Sequence, residues 1–251
     1  MKNLLIKLLR SFFRSPAFFL KFRDTIMTNA AEHLYRTRSY IYSQGFESTG
    51  IYILDIGAAS GDTCRWFARN FPGAKVIGFE PVFASFQKAQ HNTKELTGVQ
   101  LYHLALSDLN GTAEITVTKD NLASSLKKIS AAELEKMQLE ERGKFSAQRS
   151  ETVKKQRLDE VLTGNEPVLL MKIDTQGTEL EVLRGAVRTL SRTRLVLVEM
   201  NNHRLYEEAA KYHEVDEMLR SKGFCLIDIY VTYRPAGVLK EYDALYQNSR
   251  L

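Results

Sequence analysis

The stretch Ile53-Leu54-Asp55-Ile56-Gly57-Ala58-Ala59-Ser60-Gly61-Asp62 decides the fold of this chain. A short apolar run ends in an acid, passes through Gly-x-x-x-Gly and enters a helical pattern. That order predicts a strand, a glycine turn and a helix N-terminus, the layout of a nucleotide-type site in an α/β sheet. From residue 51 onward, strand and helix patterns alternate, which predicts a mostly parallel sheet. Strands are expected at 51–56, 75–79, 99–104, 113–118 (an edge strand), 167–173, 194–200 and 224–229. A last strand near 244–247 returns antiparallel. Helices are expected at 62–70, 82–96, 179–190 and 213–222. Residues 121–150 are polar, contain a helix over 130–141 and read as an insertion or lid.

The turn itself narrows the ligand. A pyrophosphate dinucleotide site wants G-x-G-x-x-G, whose middle glycine lets backbone approach the phosphates. Ala59 fills that position, and Asp55 stands two residues before the first glycine. An acid pointing into the cleft suits a cationic ligand such as S-adenosylmethionine. Glu80 follows 25 positions after Asp55, at the end of the second strand, where an acid accepts hydrogen bonds from both ribose hydroxyls. Pro81 then fixes the chain direction. Glu80 alone suits any adenosine-type cofactor, NAD included.

A third constellation is Met171-Lys172-Ile173-Asp174-Thr175-Gln176-Gly177-Thr178-Glu179. Charged and polar groups at the exit of a buried strand need partners, because isolated buried charges are costly. A helix cap by Asp174 or Thr175 is the plainer explanation, but a cap does not require Lys172. The block is therefore read as facing the same crevice as the glycine turn.

Composition bounds the rest. The chain has 251 residues, is 44% hydrophobic and 26% charged, and carries a formal net charge of +5, the make-up of a globular domain with a sizeable core. Residues 1–40 hold eight basic side chains against two acids, so the body from 41 onward is nearly neutral. A nucleic-acid surface is poorly supported on that count. Leu4, Leu5, Leu8, Leu9, Phe12 and Phe13 fall on one side of a helix, opposite Lys7, Arg10 and Arg14. This reads either as an interfacial helix on anionic lipid or as a cap on the domain core or a dimer partner. The apolar runs are too short and too charged for a transmembrane span. Two distant cysteines, Cys64 and Cys225, and no zinc-type spacing predict a reducing compartment and no zinc site, and no metal ligand is assigned.

The quoted blocks also resemble a family. Asp55-Ile-Gly57-Ala58-Ala59-Ser-Gly61, Phe79-Glu80-Pro81, Ala105-Leu106-Ser107-Asp108 and Leu158-Asp159-Glu160-Val161-Leu162 are similar to the FkbM family of S-adenosylmethionine-dependent methyltransferases. So is the run from Lys172 to Gly185-Ala186, its most specific block. The similarity spans roughly residue 51 to the end, including Val198-Glu199-Met200 and Asp243-Ala-Leu-Tyr246, and excludes the arm. The chain departs at Ala59, where the family often has Asn or a bulkier residue, and at Gln176, where Glu is frequent.

The resemblance implies a Rossmann-like class I fold: a seven-stranded, mostly parallel α/β sheet with one antiparallel strand. The implied domains are a helical arm at 1–48 and a methyltransferase domain at 49–251. It implies an O-methyltransferase acting on a hydroxyl of a sugar, glycan or small natural product, in the cytoplasm or at the inner face of the cytoplasmic membrane, with oligomeric state open. Asp55, Gly57, Ala58, Ala59, Gly61, Glu80, Pro81, Ser107 and Asp108 are then the cofactor-binding positions. Asp174 is the first candidate for base or substrate-orienting acid, Glu199 the second and His203 the third, with Lys172 orienting Asp174 or a substrate oxygen. The rival readings are a NAD-type oxidoreductase and a non-catalytic membrane module that keeps the fold.

Overall fold

The computed structural model describes residues 32–119, 124–135, 142–143, 145–202, 205–234 and 237–251. The amphipathic arm pattern, His203 and the far end of the helix expected at 130–141 lie outside these residues. Residues 45–251 form one compact unit, and helix α1 (Glu32–Ser43) belongs to the unit before it.

The first strand β1 (Tyr52–Ile56) pairs in parallel with β2 (Lys75–Phe79), which pairs with β3 (Val99–Tyr102). On its other side β1 pairs in parallel with β7 (Val168–Ile173), and β7 with β8 (Thr193–Asn201). The last strand β10 (Glu241–Asn248) runs antiparallel between β8 and β9 (Phe224–Tyr233). The seven-stranded order is β3-β2-β1-β7-β8-β10-β9. Every residue of β7 is buried, as are nearly all of β8, so their apolar stretches 168–171 and 195–198 are continuous rather than alternating. Successive crossovers build outward from β1 in one direction and from β7 in the other. The gap between β1 and β7 is therefore the point where strand order reverses, the place where open α/β sheets bind ligands.

A second sheet, β4-β6-β5, was only half foreseen. Its strand β5 (Gly111–Thr118) is the expected edge strand, but here it pairs antiparallel with β6 (Ala147–Gln156). β6 in turn carries the two-residue β4 (Ala105–Leu106) on its other side. Only Val153 of the ten β6 residues is buried, so no apolar alternation marks the strand, and its first four residues fall inside the expected lid. The single helix expected at 179–190 is two helices, α6 (Glu179–Arg184) and α7 (Val187–Leu190). Gly185 separates them. A Cβ on Gly185 would lie 2.0 Å from the Ser107 carbonyl oxygen, so the helix breaks where the Ser107 loop presses on it. The Asp159 carboxylate then accepts from the backbone N–H groups of Arg188 and Thr189 at 2.7 and 2.8 Å, supplying a new helix start.

Candidate active site

The C-terminal ends of β1, β2 and β7 converge at the reversal point. Gly57 has φ 87°, and its N–H and that of Ala58 both donate to the Phe79 carbonyl at 3.0 and 2.9 Å. A Cβ on Gly57 would lie 1.8 Å from the Asp174 carbonyl oxygen. Only glycine lets the turn after β1 touch the loop after β7. Ala59 adopts φ 46°, a left-handed conformation, and its N–H donates to Oε2 of Glu80 at 2.8 Å. Oε1 of Glu80 accepts from the Val82 N–H at 2.8 Å. Burial pushes this carboxyl up to about 7, against the pull of those two N–H groups.

A cavity of about 180 Å³ lies at this junction, walled by Gly57, Ala59, Glu80, Pro81, Leu104–Leu106, Ile115, Leu126 and the loop Asp174–Gln176. Two carboxylates, Glu80 and Asp174, face it, and no lysine, arginine or histidine is among its described lining residues. The wall suits a cationic, diol-bearing ligand and repels a pyrophosphate. Each Glu80 oxygen accepts one backbone N–H and keeps a further lone pair, so the carboxylate can accept both hydroxyls of a ribose. Pro81, Val82, Leu104 and Leu106 supply apolar surface for a flat base. The residues present thus fit S-adenosylmethionine.

Asp55 takes a different place from the one expected. Its side chain is fully buried and turned away from the cavity: Oδ2 accepts from the Cys64 thiol at 3.1 Å, and Oδ1 lies 3.9 Å from Nζ of Lys172. The reason is register, because Asp55 and Lys172 are direct partners in the β1–β7 ladder. Asp55 thereby contributes to the site through Lys172. Nζ of Lys172 reaches Oδ2 of Asp174 at 3.1 Å. Burial lowers the Lys172 ammonium, but Asp174, Asp55 and Asp243 together more than reverse this, and the lysine stays charged. Ala58 is buried beneath the turn, and Gly61 leads into helix α2 (Asp62–Asn70).

Asp174 stands at the cavity wall with its side chain 35% exposed. Glu199 does not line the cavity. It is buried one layer behind, where both its oxygens accept from Nε2 of Gln176 at 3.2 and 3.0 Å. Burial raises its carboxyl well above the usual range, reinforced by Asp174, Glu241, Glu179 and Asp243. The cap reading is not what holds the loop: Thr178, at the N-cap of α6, makes no side-chain cap bond. Glu179 turns back instead, accepting from the N–H groups of Thr175 and Gly177 at 3.0 Å each.

Ser107 and Asp108 lie on the wall of a second cavity of about 560 Å³, which shares Leu126 and Thr178 with the first. Sequence reasoning missed Ser125, Leu126 and Tyr206. No local pattern marks them, and they reach the site only because residues 124–130 lie against both the second sheet and the loop after β8. Ser125 pairs with Thr116, and Ile129 bridges to Tyr206.

The FkbM methyltransferase domain profile matches residues 55–226 of this chain. The 2-O-methyltransferase NoeI of Sinorhizobium fredii (strain NBRC 101917 / NGR234) is 29% identical over 202 residues, covering 79% of this chain and 80% of that protein. Methyltransferase sdnD of Sordaria araneosa is 29% identical over 195 residues, covering 69% and 73%. Among solved structures, the chain resembles the 1,6-didemethyltoxoflavin-N1-methyltransferase of Burkholderia thailandensis with a TM-score of 0.46 and 13% identity, covering 98% of this chain and 89% of that one. With the profile spanning most of the sheet and the crevice fitting the cofactor, the chain belongs to the FkbM family of S-adenosylmethionine-dependent methyltransferases.

Proposed function

We propose that residues 49–251 transfer a methyl group to a hydroxyl of a sugar, glycan or small natural product. The observation that carries this reading is the cavity at the strand-order reversal, faced by two carboxylates and no described cation. The 2-O-methyltransferase relative supports oxygen as the acceptor atom. When bound, the cofactor supplies a methyl group already activated on sulfonium, so the chain's task is alignment and proton removal.

Glu80 would hold the ribose end of the cofactor and the Gly57 turn its amino-acid end. Asp174, paired with the Lys172 ammonium, would accept the hydrogen bond of the acceptor hydroxyl and orient it at the cavity. With the cofactor bound, Asp174 would be the group that receives the proton of the acceptor hydroxyl. The acceptor body extends past Thr178 into the larger cavity, whose mixed charges (Lys155 and Arg184 against Asp108 and Glu207) suit a polar, hydroxyl-rich molecule.

Asp174→Asn is expected to leave S-adenosylhomocysteine affinity within a few-fold of the native value. Methyl transfer should fall about 100-fold or more, the usual range for removing a general base. Labelled S-adenosylmethionine, tested against soluble and lipid-linked glycan extracts, measures it. Full turnover in the variant would remove Asp174 from this role.

We also propose that residues 1–25 bring the enzyme to an anionic membrane face. The support is the aromatic-rich apolar side opposite Lys7, Arg10 and Arg14. No described helix is long and apolar enough to cross a membrane. In liposome flotation with 30% phosphatidylserine, the full chain should float and a chain lacking residues 1–25 should not. Equal flotation of the two would end the membrane reading.

A further inference from the structure

Three residues converge on the neutral side chain of Gln176, and a fourth holds its backbone. Nε2 of Gln176 donates to Oδ1 of Asp174 at 3.1 Å and to both Glu199 oxygens, while its Oε1 accepts from the Tyr206 hydroxyl at 2.8 Å. The Gln176 backbone carbonyl accepts from Oγ of Ser125 at 2.6 Å. Its φ is 56°, a left-handed conformation that residues with a side chain seldom adopt, followed by Gly177 at 104°. The sequence around it therefore holds an unfavourable backbone in order to place this amide.

Asp174 fixes which way the amide faces. A glutamine offers two donors at nitrogen and an acceptor at oxygen. Reversal would set the carbonyl oxygen against the Asp174 carboxylate, which has no proton to give. Asp174 thus sets the orientation, and the Tyr206 hydroxyl donates to the amide oxygen that this leaves facing it. Tyr206 is almost fully buried, so no solvent competes for its hydroxyl.

Two amide hydrogens serve three carboxyl oxygens, which keeps Asp174 and Glu199 side by side on a single nitrogen. The two acids then differ in what else they meet. The second oxygen of Asp174 faces the Lys172 ammonium at 3.1 Å, and Asp174 reaches the cavity. Glu199 is buried and faces Asp174, Glu179, Glu241 and Asp243, with Tyr206 behind the amide. Glu241, on the neighbouring strand β10, lies close enough for its carboxyl group to interact with that of Glu199.

We propose that Gln176, its amide locked by Tyr206, is a positioning residue that assigns negative charge to Asp174 and the proton to Glu199. A neutral amide does this where a third carboxylate or a cation could not. A carboxylate would add repulsion, and a cation would ionise both acids. The Glu199 proton is then shared with Glu241, leaving Asp174 as the one member of the group ready to accept a proton at the cavity. Burial and the surrounding acids push both Glu199 and Glu241 upward, in keeping with that division. The use of the Asp174 charge in methyl transfer rests on the function proposed above; the division of charge itself does not.

Carboxyl-carbon NMR of the full chain, labelled at Asp and Glu and titrated from pH 4 to 9, tests the proposal. Asp174→Asn and Glu199→Gln provide the assignments. In the native chain Asp174 should titrate at acid pH while Glu199 is still protonated at pH 7. Gln176→Ala and Gln176→Glu should move the Asp174 step upward by one pH unit or more, because each removes a donor to its charged form. Tyr206→Phe should move it the same way by less, and it keeps the shape of the core if the other variants fold poorly. Gln176→Asn, one methylene short, should not rescue the native titration. An unchanged Asp174 step in both Gln176→Ala and Tyr206→Phe would overturn the proposal, as would a native Asp174 protonated at pH 7. S-adenosylhomocysteine binding, recorded on the same samples, reports separately on the cofactor site. Its loss in the native chain would count against the proposed function while the titrations still decide the role of Gln176.

Discussion

Glu80→Ala is expected to abolish measurable binding of S-adenosylmethionine. The carboxylate is the only described acceptor at the end of β2 that is aimed by two backbone N–H groups, those of Ala59 and Val82. Losing two hydrogen bonds from ribose to a charged acceptor costs about 1.5–3 kcal/mol each, so affinity should fall by roughly 100-fold or more. The Ala59 N–H would also lose its acceptor, and the strained turn that it belongs to would relax. Glu80→Gln retains one acceptor oxygen and should weaken binding by less. A pH dependence accompanies the native chain. Burial raises the Glu80 carboxyl to about 7, and the ribose hydroxyls donate best to the ionised form. Affinity should therefore be highest above pH 7 and decline as pH falls through that value. Calorimetric titration at pH 6 and pH 8 measures this. Affinity that is flat with pH, together with native binding by Glu80→Ala, would place the ribose elsewhere.

Gly57→Ala is the second large effect, and it acts on the fold as much as on the site. The new methyl carbon would overlap the Asp174 carbonyl at 1.8 Å, and the φ of 87° disfavours any side chain. Both partners are backbone, so neither can step aside by changing rotamer. The turn and the Asp174 loop would have to separate, breaking the Asp174 N–H bond to the Ile56 carbonyl at 2.9 Å. A cost of about 4 kcal/mol or more is expected, in the range reserved for severe backbone conflicts. For a domain of this size that lowers Tm by roughly 10 °C. Thermal unfolding measures it, and cofactor binding should fail in whatever protein remains folded. A native Tm with native affinity would show that the two loops are not in contact.

What the sequence discloses follows a physical divide. β1, β2, β7 and β8 are buried on both faces, so their apolar runs are legible without knowledge of any partner. The same holds for Gly57, Glu80 and Asp174, which sit at fixed offsets from the ends of those runs. β6 is hidden because Val153 is its only buried residue, too little to mark an apolar face, and it owes its form to pairing with β5. The break at Gly185 depends on a contact with Ser107, 78 positions earlier, and so leaves no mark in the local pattern. The direction of the Asp55 side chain is a similar case. Its place in the motif suggests the cleft, but the β1–β7 register puts Lys172 beside it, and a buried acid follows the nearest cation. Tyr206, Glu241 and Asp243 enter the acidic group through the loop after β8 and an antiparallel strand, so their part is invisible until the chain is folded.

The central claim is that the crevice between β1 and β7 holds S-adenosylmethionine through Glu80. Isothermal titration of the full chain with S-adenosylhomocysteine and, in parallel, with NAD tests it most directly. One molecule of S-adenosylhomocysteine per chain should bind, with no heat from NAD and no binding by Glu80→Ala. Binding of NAD in its place, or S-adenosylhomocysteine binding that ignores Glu80, would contradict the assignment.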